Sequence, residues 1–216
     1  MIDMLPNINR TLYGRFKREG YRKKQYAATP VMSIDELVNL AYLDVNRTIW
    51  GIEAEQGRLF KQAVVSLIRD LLTEPPKTQQ DFDLLHHRCC QQCLEASSAG
   101  AAHIHYGQAQ KLLNMSLKYL YNEFAAYYPN LNPFRFPDNN VEYFFHLPID
   151  SQIRSHLVTR CHFTDPTSLP WSKWTCSNYI SFQSQLRARI NNDYKPLEID
   201  YLLWNTKGVS VGDAIR

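Results

Sequence analysis

The residue best placed to carry chemistry is the aspartate at position 150, within the run Leu-Pro-Ile-Asp-Ser-Gln-Ile-Arg that spans residues 147–154. A proline precedes it and an apolar-periodic segment follows, so Asp150 is predicted to stand where a new helix begins. The partial positive charge of a helix N-terminus keeps such a carboxylate ionised, ready to face positive charge that develops in a reaction. The same position suits an N-cap, whose side chain accepts a backbone N–H. The two roles are compatible, and the sequence leaves both open.

Further candidates lie on the helix predicted for residues 106–128. Its apolar side chains recur with helical period, and a separate polar side is formed by Gln108, Lys111, Lys118 and Asn122. Lys111 and Lys118 are a heptad apart, so they lie along one stripe of the helix. That stripe is interpreted either as a solvent-exposed face or as a contact for the phosphates of a nucleic acid. Gly107 stands at the start of the same helix.

The densest group of soft metal ligands is on another predicted helix, at His86, His87, Cys89, Cys90 and Cys93. All of them except His87 share one helix face, and Cys161-His162 or Cys176 could complete a zinc site. Zinc ribbons place paired CxxC motifs on turns, whereas here a single such spacing occurs. The favoured interpretation is therefore a set of buried, reduced thiols, with no metal and no other cofactor.

Other catalytic arrangements are not selected by the sequence. A thiol nucleophile with a histidine base can be assembled from Cys161 and His103, His105 or His146, but the spacing prefers none of these pairs. Glycine loops that cradle phosphates are absent, because none of the eight glycines falls in a Walker or dinucleotide-binding spacing.

Positive charge is concentrated at the N-terminus. Residues 1–28 have a net charge of +5, whereas the remaining residues carry 17 basic and 19 acidic side chains. The basic residues of this segment that we consider for nucleic-acid binding are Arg15, Lys17, Arg18, Arg22, Lys23 and Lys24. Tyrosines and a phenylalanine alternate with them, a composition that suits backbone phosphates and stacking on exposed bases. A solvated arm whose aromatic rings pack on the body is the alternative.

The elements that must position these residues are helices. Helical period and capping signals predict helices near residues 34–50, 58–72, 78–96, 106–128, 150–161, 177–192 and 197–204. A long ordered loop rich in Pro and Asn is predicted for residues 129–148, where aromatic side chains should fix it to the body. Strand-like alternation is nearly absent. The prediction is an all-α, single compact domain over residues 31–216, preceded by a basic-aromatic arm over residues 1–30.

The segment of about residues 106–160 distantly resembles the helix-hairpin-helix DNA glycosylase superfamily. The resemblance consists of Gly107 leading Lys111 and an apolar helix, followed by Pro148-Ile149-Asp150-Ser151 and a hydrophobic-basic helix. It implies that Asp150 stabilises the sugar cation as a damaged base leaves, and that Gly107 belongs to a hairpin that binds a DNA phosphate. The family's tight Leu-Pro-Gly-x-Gly hairpin is replaced here by Ala-His-Ile-His-Tyr-Gly at residues 102–107.

Composition sets the remaining expectations. The chain has 216 residues, of which 44% are hydrophobic and 21% charged, as in globular proteins. The first residues show no secretory signal and no apolar run is long enough to span a membrane, so a cytoplasmic protein without a membrane partner is expected. The function predicted is nucleic-acid binding, with DNA as the partner and N-glycosidic cleavage as the candidate reaction. A non-catalytic protein–protein interaction module is the alternative.

Overall fold

The computed structural model describes residues 33–49, 51–98, 103–127, 135–136, 139–205 and 214–215. Within this part of the chain there are seven α-helices, in order: α1 Ile34–Val45, α2 Ala54–Thr73, α3 Gln79–Ser98, α4 Tyr106–Tyr127, α5 Ser151–Arg160, α6 Cys176–Arg189 and α7 Pro196–Asn205. Short 3-10 turns lie at Asn46–Thr48, Val141–Tyr143 and Trp171–Lys173. Two strands of two residues each pair antiparallel, Arg135 with Asn140 and Phe136 with Asn139. The all-α class predicted from the sequence is confirmed.

Local side-chain bonds explain why several helices begin where they do. Ser33 and Glu36 form a capping box at the start of α1. Thr78 and Asp81 exchange equivalent bonds before α3, where each side chain accepts the other residue's backbone N–H. Thr175 caps α6 in the same way. These reciprocal bonds satisfy N–H groups that have no partner inside the helix.

Helix α4 is the centre of the fold. Helices α1, α2, α3 and α6 pack against it, together with the turn Trp171–Lys173. Every residue from 106 to 122 is buried, including those of the polar side. The expectation of a solvent-exposed polar stripe on this helix is therefore wrong, because neighbouring elements cover it on all sides. Burial of this kind favours a protein partner for each polar group. Most polar side chains of α4 have one, but the Asn122 amide has none among the described residues.

Aromatic side chains anchor the connections to this core. Trp171 and Trp174 are both buried, as expected for residues that seat a loop, and the Trp174 indole packs against Phe182 at 5.2 Å between ring centroids. Phe145, at the end of the predicted Pro/Asn-rich loop, is fully buried, whereas Tyr143 is exposed on one side. Among the described helices, none has the length and apolarity needed to cross a bilayer.

Candidate functional site

Asp150 occupies the position predicted for it, at the N-cap of α5. Its Oδ1 accepts the backbone N–H of Gln152 at 3.0 Å and that of Ile153 at 2.9 Å, so the N-cap prediction is confirmed. Its Oδ2 accepts a bond from Lys111 Nζ at 2.9 Å. The two side chains are 16% and 7% exposed, respectively. The structure thus brings together two candidate residues that are 39 positions apart in the chain.

The surroundings of Asp150 favour its ionised form. Burial by itself raises the pKa of this carboxyl, but the charge of Lys111 and the two backbone N–H bonds outweigh burial and lower the pKa below its ordinary value. The carboxylate is therefore negative at neutral pH, as the helix N-terminal position predicts. The Asp150 side chain is largely buried, and each of its oxygens accepts from a protein donor.

Gly107 lies close to this pair, and its role is a close backbone approach. A Cβ built on Gly107 would lie 1.9 Å from the Trp171 carbonyl oxygen, so α4 and the 171–173 turn touch at a distance that only glycine permits. The Gly107 N–H donates to Trp174 O at 3.1 Å. The Gln110 side chain then donates to Gly107 O and to Ile149 O, at 2.8 and 3.1 Å. The Gln110 side chain therefore bonds both Gly107 and Ile149, the residue before Asp150.

A groove of about 370 Å³ opens next to this arrangement. It is lined by Ser151, Arg154, Ser155, Val158, Thr159, Asp165, Pro170 and Trp171. Ser151 directly follows Asp150 in the chain and the Trp171 backbone packs on Gly107, but Asp150, Lys111 and Gly107 are not part of the lining. The charged side chains of its lining are Arg154 and Asp165, which form an ion pair with each other. The lining is therefore mixed in polarity and not strongly basic.

Behind the Lys111–Asp150 pair runs a buried hydrogen-bond network. Gln110 Oε1 accepts from Asn114 Nδ2 at 2.9 Å, and Asn114 Nδ2 also donates to the Tyr179 hydroxyl at 2.8 Å. The Tyr179 hydroxyl bonds His146 Nδ1 at 2.7 Å, and His146 Nε2 bonds Asp83 Oδ1 at 2.8 Å. The network thus runs from the partly exposed Asp83 carboxylate to Gln110, which bonds the carbonyl of Ile149, the residue before Asp150. Such a fully bonded set of polar groups fixes the position of the helices that contribute to it.

The ionisation states in this network follow from burial. Burial lowers the pKa of His146 to about 4, although Asp83 acts in the opposite direction. Burial also holds the pKa of His86 well below its ordinary value, with the nearby His146 adding to the effect. For Asp83 burial opposes ionisation, but the bonds from His146 and Arg187 hold its pKa far below the ordinary range. Both histidines are therefore neutral at neutral pH, and Asp83 is charged.

Lys118, the second predicted phosphate contact, lies in the interior. Its ammonium donates to Asp200 Oδ2, and both side chains are 1% exposed. A neighbouring group of buried charges is formed by Lys195 with Glu142 and Glu198. Tyr121 joins this group, since its hydroxyl donates to Glu198 Oε1 at 3.0 Å and accepts from Lys195 Nζ at 3.2 Å. A phosphate contact by Lys118 stays a prediction, and it requires the ammonium to leave its carboxylate.

The predicted soft-ligand face is buried, but its members have other partners. Cys89 and Cys93 point to the carbonyls of Ala63 and Phe60, and His86 bonds Asn114. Within the described residues no three His, Cys, Asp or Glu side chains are grouped as a metal site would need. Of the proposed bases for Cys161, His103 and His105 are exposed and His146 belongs to the network above. Two thiol–imidazole contacts occur among the described residues. Cys90 Sγ lies 3.8 Å from His86 Nδ1 in the interior, and Cys176 Sγ lies 3.4 Å from His87 Nδ1, a pair the sequence did not indicate.

The basic arm falls outside the described residues. This applies to Arg15, Lys17, Arg18, Arg22, Lys23 and Lys24. Their assignment to nucleic-acid binding rests on sequence alone.

Comparison with known proteins adds no family to these observations. No family model, no curated protein and no solved structure matches the chain. The class of the protein is accordingly defined by its own architecture: an all-α domain built around a central helix whose polar side chains are buried, most of them with hydrogen-bond partners among the described residues. The site next to that helix is the Lys111–Asp150 pair with its adjoining groove.

Proposed function

We propose that this protein binds nucleic acid and that Asp150, paired with Lys111, acts on an N-glycosidic bond. The observation that carries the proposal is the ionised carboxylate of Asp150 at a helix N-terminus, in a side chain that is 16% exposed and is followed by Ser151 in the lining of a groove of about 370 Å³. The resemblance of residues 106–160 to helix-hairpin-helix DNA glycosylases supports the same assignment. The reacting base would be extruded from the duplex, as enzymes that act on bases require.

The two oxygens of Asp150 suggest a division of roles. Oδ1 is fixed by two backbone N–H donors, which orient the carboxylate. Oδ2 is bound by Lys111, whose ammonium can exchange this oxygen for a phosphate when DNA enters. Oδ2 would then face the oxocarbenium ion that forms as the base departs, and its negative charge would stabilise that cation. Lys111 would contribute to binding, and Asp150 to the reaction.

Binding to the nucleic acid is assigned chiefly to the N-terminal segment. Its net charge of +5 over 28 residues is sufficient to steer a polyanion, and its aromatic residues can stack on exposed bases. The groove lining is not strongly basic, so it is expected to contribute little to affinity. The proposal therefore separates affinity, at the arm, from chemistry, at Asp150.

A salt titration of duplex and single-strand binding tests the first part. We expect the logarithm of the association constant to fall steeply with the logarithm of salt concentration. Replacing Arg15, Lys17 and Arg18 with alanine should reduce that slope by about one for each side chain that contacts a phosphate. A matched control replaces the exposed residues Arg58, Arg69 and Arg88, which removes equal charge from the helical domain. Equal effects of both triple variants, or no binding at low salt, would contradict an arm-mediated interaction.

The second part is tested by incubating the protein with duplexes that carry damaged bases and measuring base release. Asn caps helices as well as Asp does, so Asp150→Asn preserves the start of α5 while removing the charge. We expect base release to fall by at least about 100-fold, the effect of removing one electrostatic stabiliser from an active site. Asp165→Asn, in the groove wall, is the control. Equal release by wild type and Asp150→Asn would exclude the reaction.

One specific observation favours a second function, a non-catalytic interaction module. Both oxygens of Asp150 already have donors and Lys111 is nearly buried, an arrangement that is complete as a structural support. In that case no tested duplex releases a base, and Asp150→Asn lowers stability without changing any binding. The salt titration then distinguishes an acidic protein partner from a nucleic acid.

A further inference from the structure

Cys176, His87 and Tyr106 form a second cluster of reactive side chains, separate from Asp150. Cys176 Sγ lies 3.4 Å from His87 Nδ1, and the Tyr106 hydroxyl lies 3.4 Å from the same nitrogen. The rings of His87 and Tyr106 are stacked, with centroids 5.9 Å apart. Cys176 and His87 are both partly exposed. The three residues come from α6, α3 and α4.

The protonation of the cluster follows from its contacts. Burial raises the pKa of Tyr106 far above its ordinary value, so this phenol stays protonated and acts as a donor. In the tautomer that carries its hydrogen on Nε2, His87 Nδ1 can accept the hydrogen of the Cys176 thiol. A thiol beside an imidazole acceptor can transfer its proton, which is how cysteine nucleophiles are activated.

Two features then stabilise the negative sulfur. Cys176 is the first residue of α6, a helix of 14 residues, where the partial positive charge of the helix end favours an anion. The Tyr106 hydroxyl, which lies 3.4 Å from His87 Nδ1, can turn its hydrogen toward the Cys176 sulfur once the imidazole is protonated. Cys90 also faces this cluster from α3, but it is fully buried and its pKa is raised well above the ordinary value by burial.

We propose that Cys176 is a nucleophilic thiol that reacts with hydroperoxides, with His87 as its base. His87 takes the thiol proton, and the thiolate attacks the terminal oxygen of the hydroperoxide. The S–O bond forms as the O–O bond breaks, so the sulfur is oxidised by two electrons to sulfenic acid. The hydroperoxide is reduced to water or an alcohol, and the leaving oxygen takes up the proton held on His87. This reaction is independent of the proposed action on DNA.

Cys161 provides a control within the same molecule. It is also partly exposed, but it follows the C-terminus of α5, where the helix end carries partial negative charge. Burial raises the pKa of Cys161, and the charges of Arg189 and Arg160 offset this only in part. The other three cysteines, at positions 89, 90 and 93, are buried. Reactivity should therefore concentrate at Cys176.

Timed alkylation of the folded, full-length protein with iodoacetamide tests the proposal. Trypsin places Cys161 on the peptide 161–173, Cys176 on the peptide 174–187, and the three buried cysteines together on the peptide 89–111. Mass spectrometry of these peptides thus gives separate rates. We expect Cys176 to react about tenfold or more faster than Cys161 at neutral pH. After treatment with hydrogen peroxide, a dimedone adduct should appear on the peptide 174–187 first.

A variant of the base completes the test. His87→Gln keeps a polar side chain of similar size at a partly exposed position, and it should slow alkylation of Cys176 about tenfold while leaving the Cys161 rate unchanged. Tyr106→Phe should slow it less. Circular dichroism and melting curves check that each variant is folded. The ratio of the Cys176 and Cys161 alkylation rates in the wild type does not depend on any variant. Equal rates at Cys176 and Cys161 in the wild type, or an unchanged Cys176 rate in His87→Gln, would overturn the assignment.

Discussion

Replacing Lys118 with methionine distinguishes between two roles for this side chain. In one role it stabilises the fold by pairing with Asp200, and in the other it binds a phosphate of a nucleic acid. Methionine keeps much of the aliphatic length and removes the charge, so the Asp200 carboxylate would stay in the interior without its ammonium partner. The two side chains are 1% exposed, and Asp200 Oδ1 has no hydrogen-bond partner among the described residues. The carboxylate therefore depends on Lys118. If Lys118 instead served a phosphate, the substitution would weaken nucleic-acid binding and change stability little.

The expected loss follows from this burial. Removing one member of a buried ion pair costs about 3–5 kcal/mol, because an uncompensated charge remains in a medium of low polarity. Domains are stable by about 5–15 kcal/mol in total, so Lys118→Met should remove a large share of the free energy of unfolding. In a chain of this length each kcal/mol lowers Tm by about 2–4 °C, which predicts a decrease of about 6–20 °C.

A double-mutant cycle makes the prediction specific. Lys118→Met, Asp200→Asn and the double variant are compared with wild type by urea denaturation and by melting. The double variant contains no stranded charge, so its loss should be smaller than the sum of the single losses by about 1–3 kcal/mol. Additive losses, or a loss below about 1 kcal/mol for Lys118→Met, would refute the argument from burial. A salt slope for DNA binding that falls by about one in Lys118→Met would favour a phosphate contact instead.

Two other predictions concern the elements around the site. Gly107→Ala should lower the free energy of unfolding, measured by urea denaturation, by about 2–3 kcal/mol, because the added Cβ meets the Trp171 carbonyl. Gly57→Ala is the control. Its added Cβ meets only the movable Tyr42 side chain at 3.1 Å, so stability should change by less than about 1 kcal/mol. Similar costs at both glycines would contradict the close approach. For pH, burial lowers the pKa of His146 to about 4 in the folded state, so the unfolded chain takes up the proton first as the pH falls. The contribution of neutral His146 to the free energy of unfolding is complete above about pH 6.5 and should be lost progressively towards pH 4, by up to about 3 kcal/mol. In melting experiments His146→Gln should reduce the slope of stability against pH over this range. An equal slope in wild type and variant would show that this histidine is not held neutral.

The helices and most of their starting points are predictable from the sequence, because the interactions that define them are local. Helix α2 is the exception, since it begins at Ala54 and not near residue 58. The capping box of Ser33 and Glu36 and the cap at Asp150 each involve residues within three positions, and both are found in the structure. The period of apolar side chains likewise reports which residues face a core. The boundary between the arm of residues 1–30 and the domain of residues 31–216 stays a prediction, since residues 1–32 are outside the described part.

The environment of α4 could not be predicted in the same way. Its sequence shows an apolar side and a polar side, which is typical of a surface helix. Amphipathic spacing indicates which side chains prefer a core, but it does not report whether other elements cover the polar side. In the fold, α5 supplies Asp150 to Lys111 and α7 supplies Asp200 to Lys118. Each partner lies far along the chain, and its acidic character alone does not identify it.

By itself the sequence determined the all-α class, the approximate helix positions, the ionised cap at Asp150 and the concentration of positive charge at the N-terminus. Only the tertiary structure decided that Lys111 contacts Asp150, that Lys118 is interior, and that Cys176 meets His87 across 89 positions of the chain. The physical reason is the range of the interactions. Caps and helical period act within about a turn of helix, whereas ion pairs and thiol–imidazole contacts depend on which helices pack together.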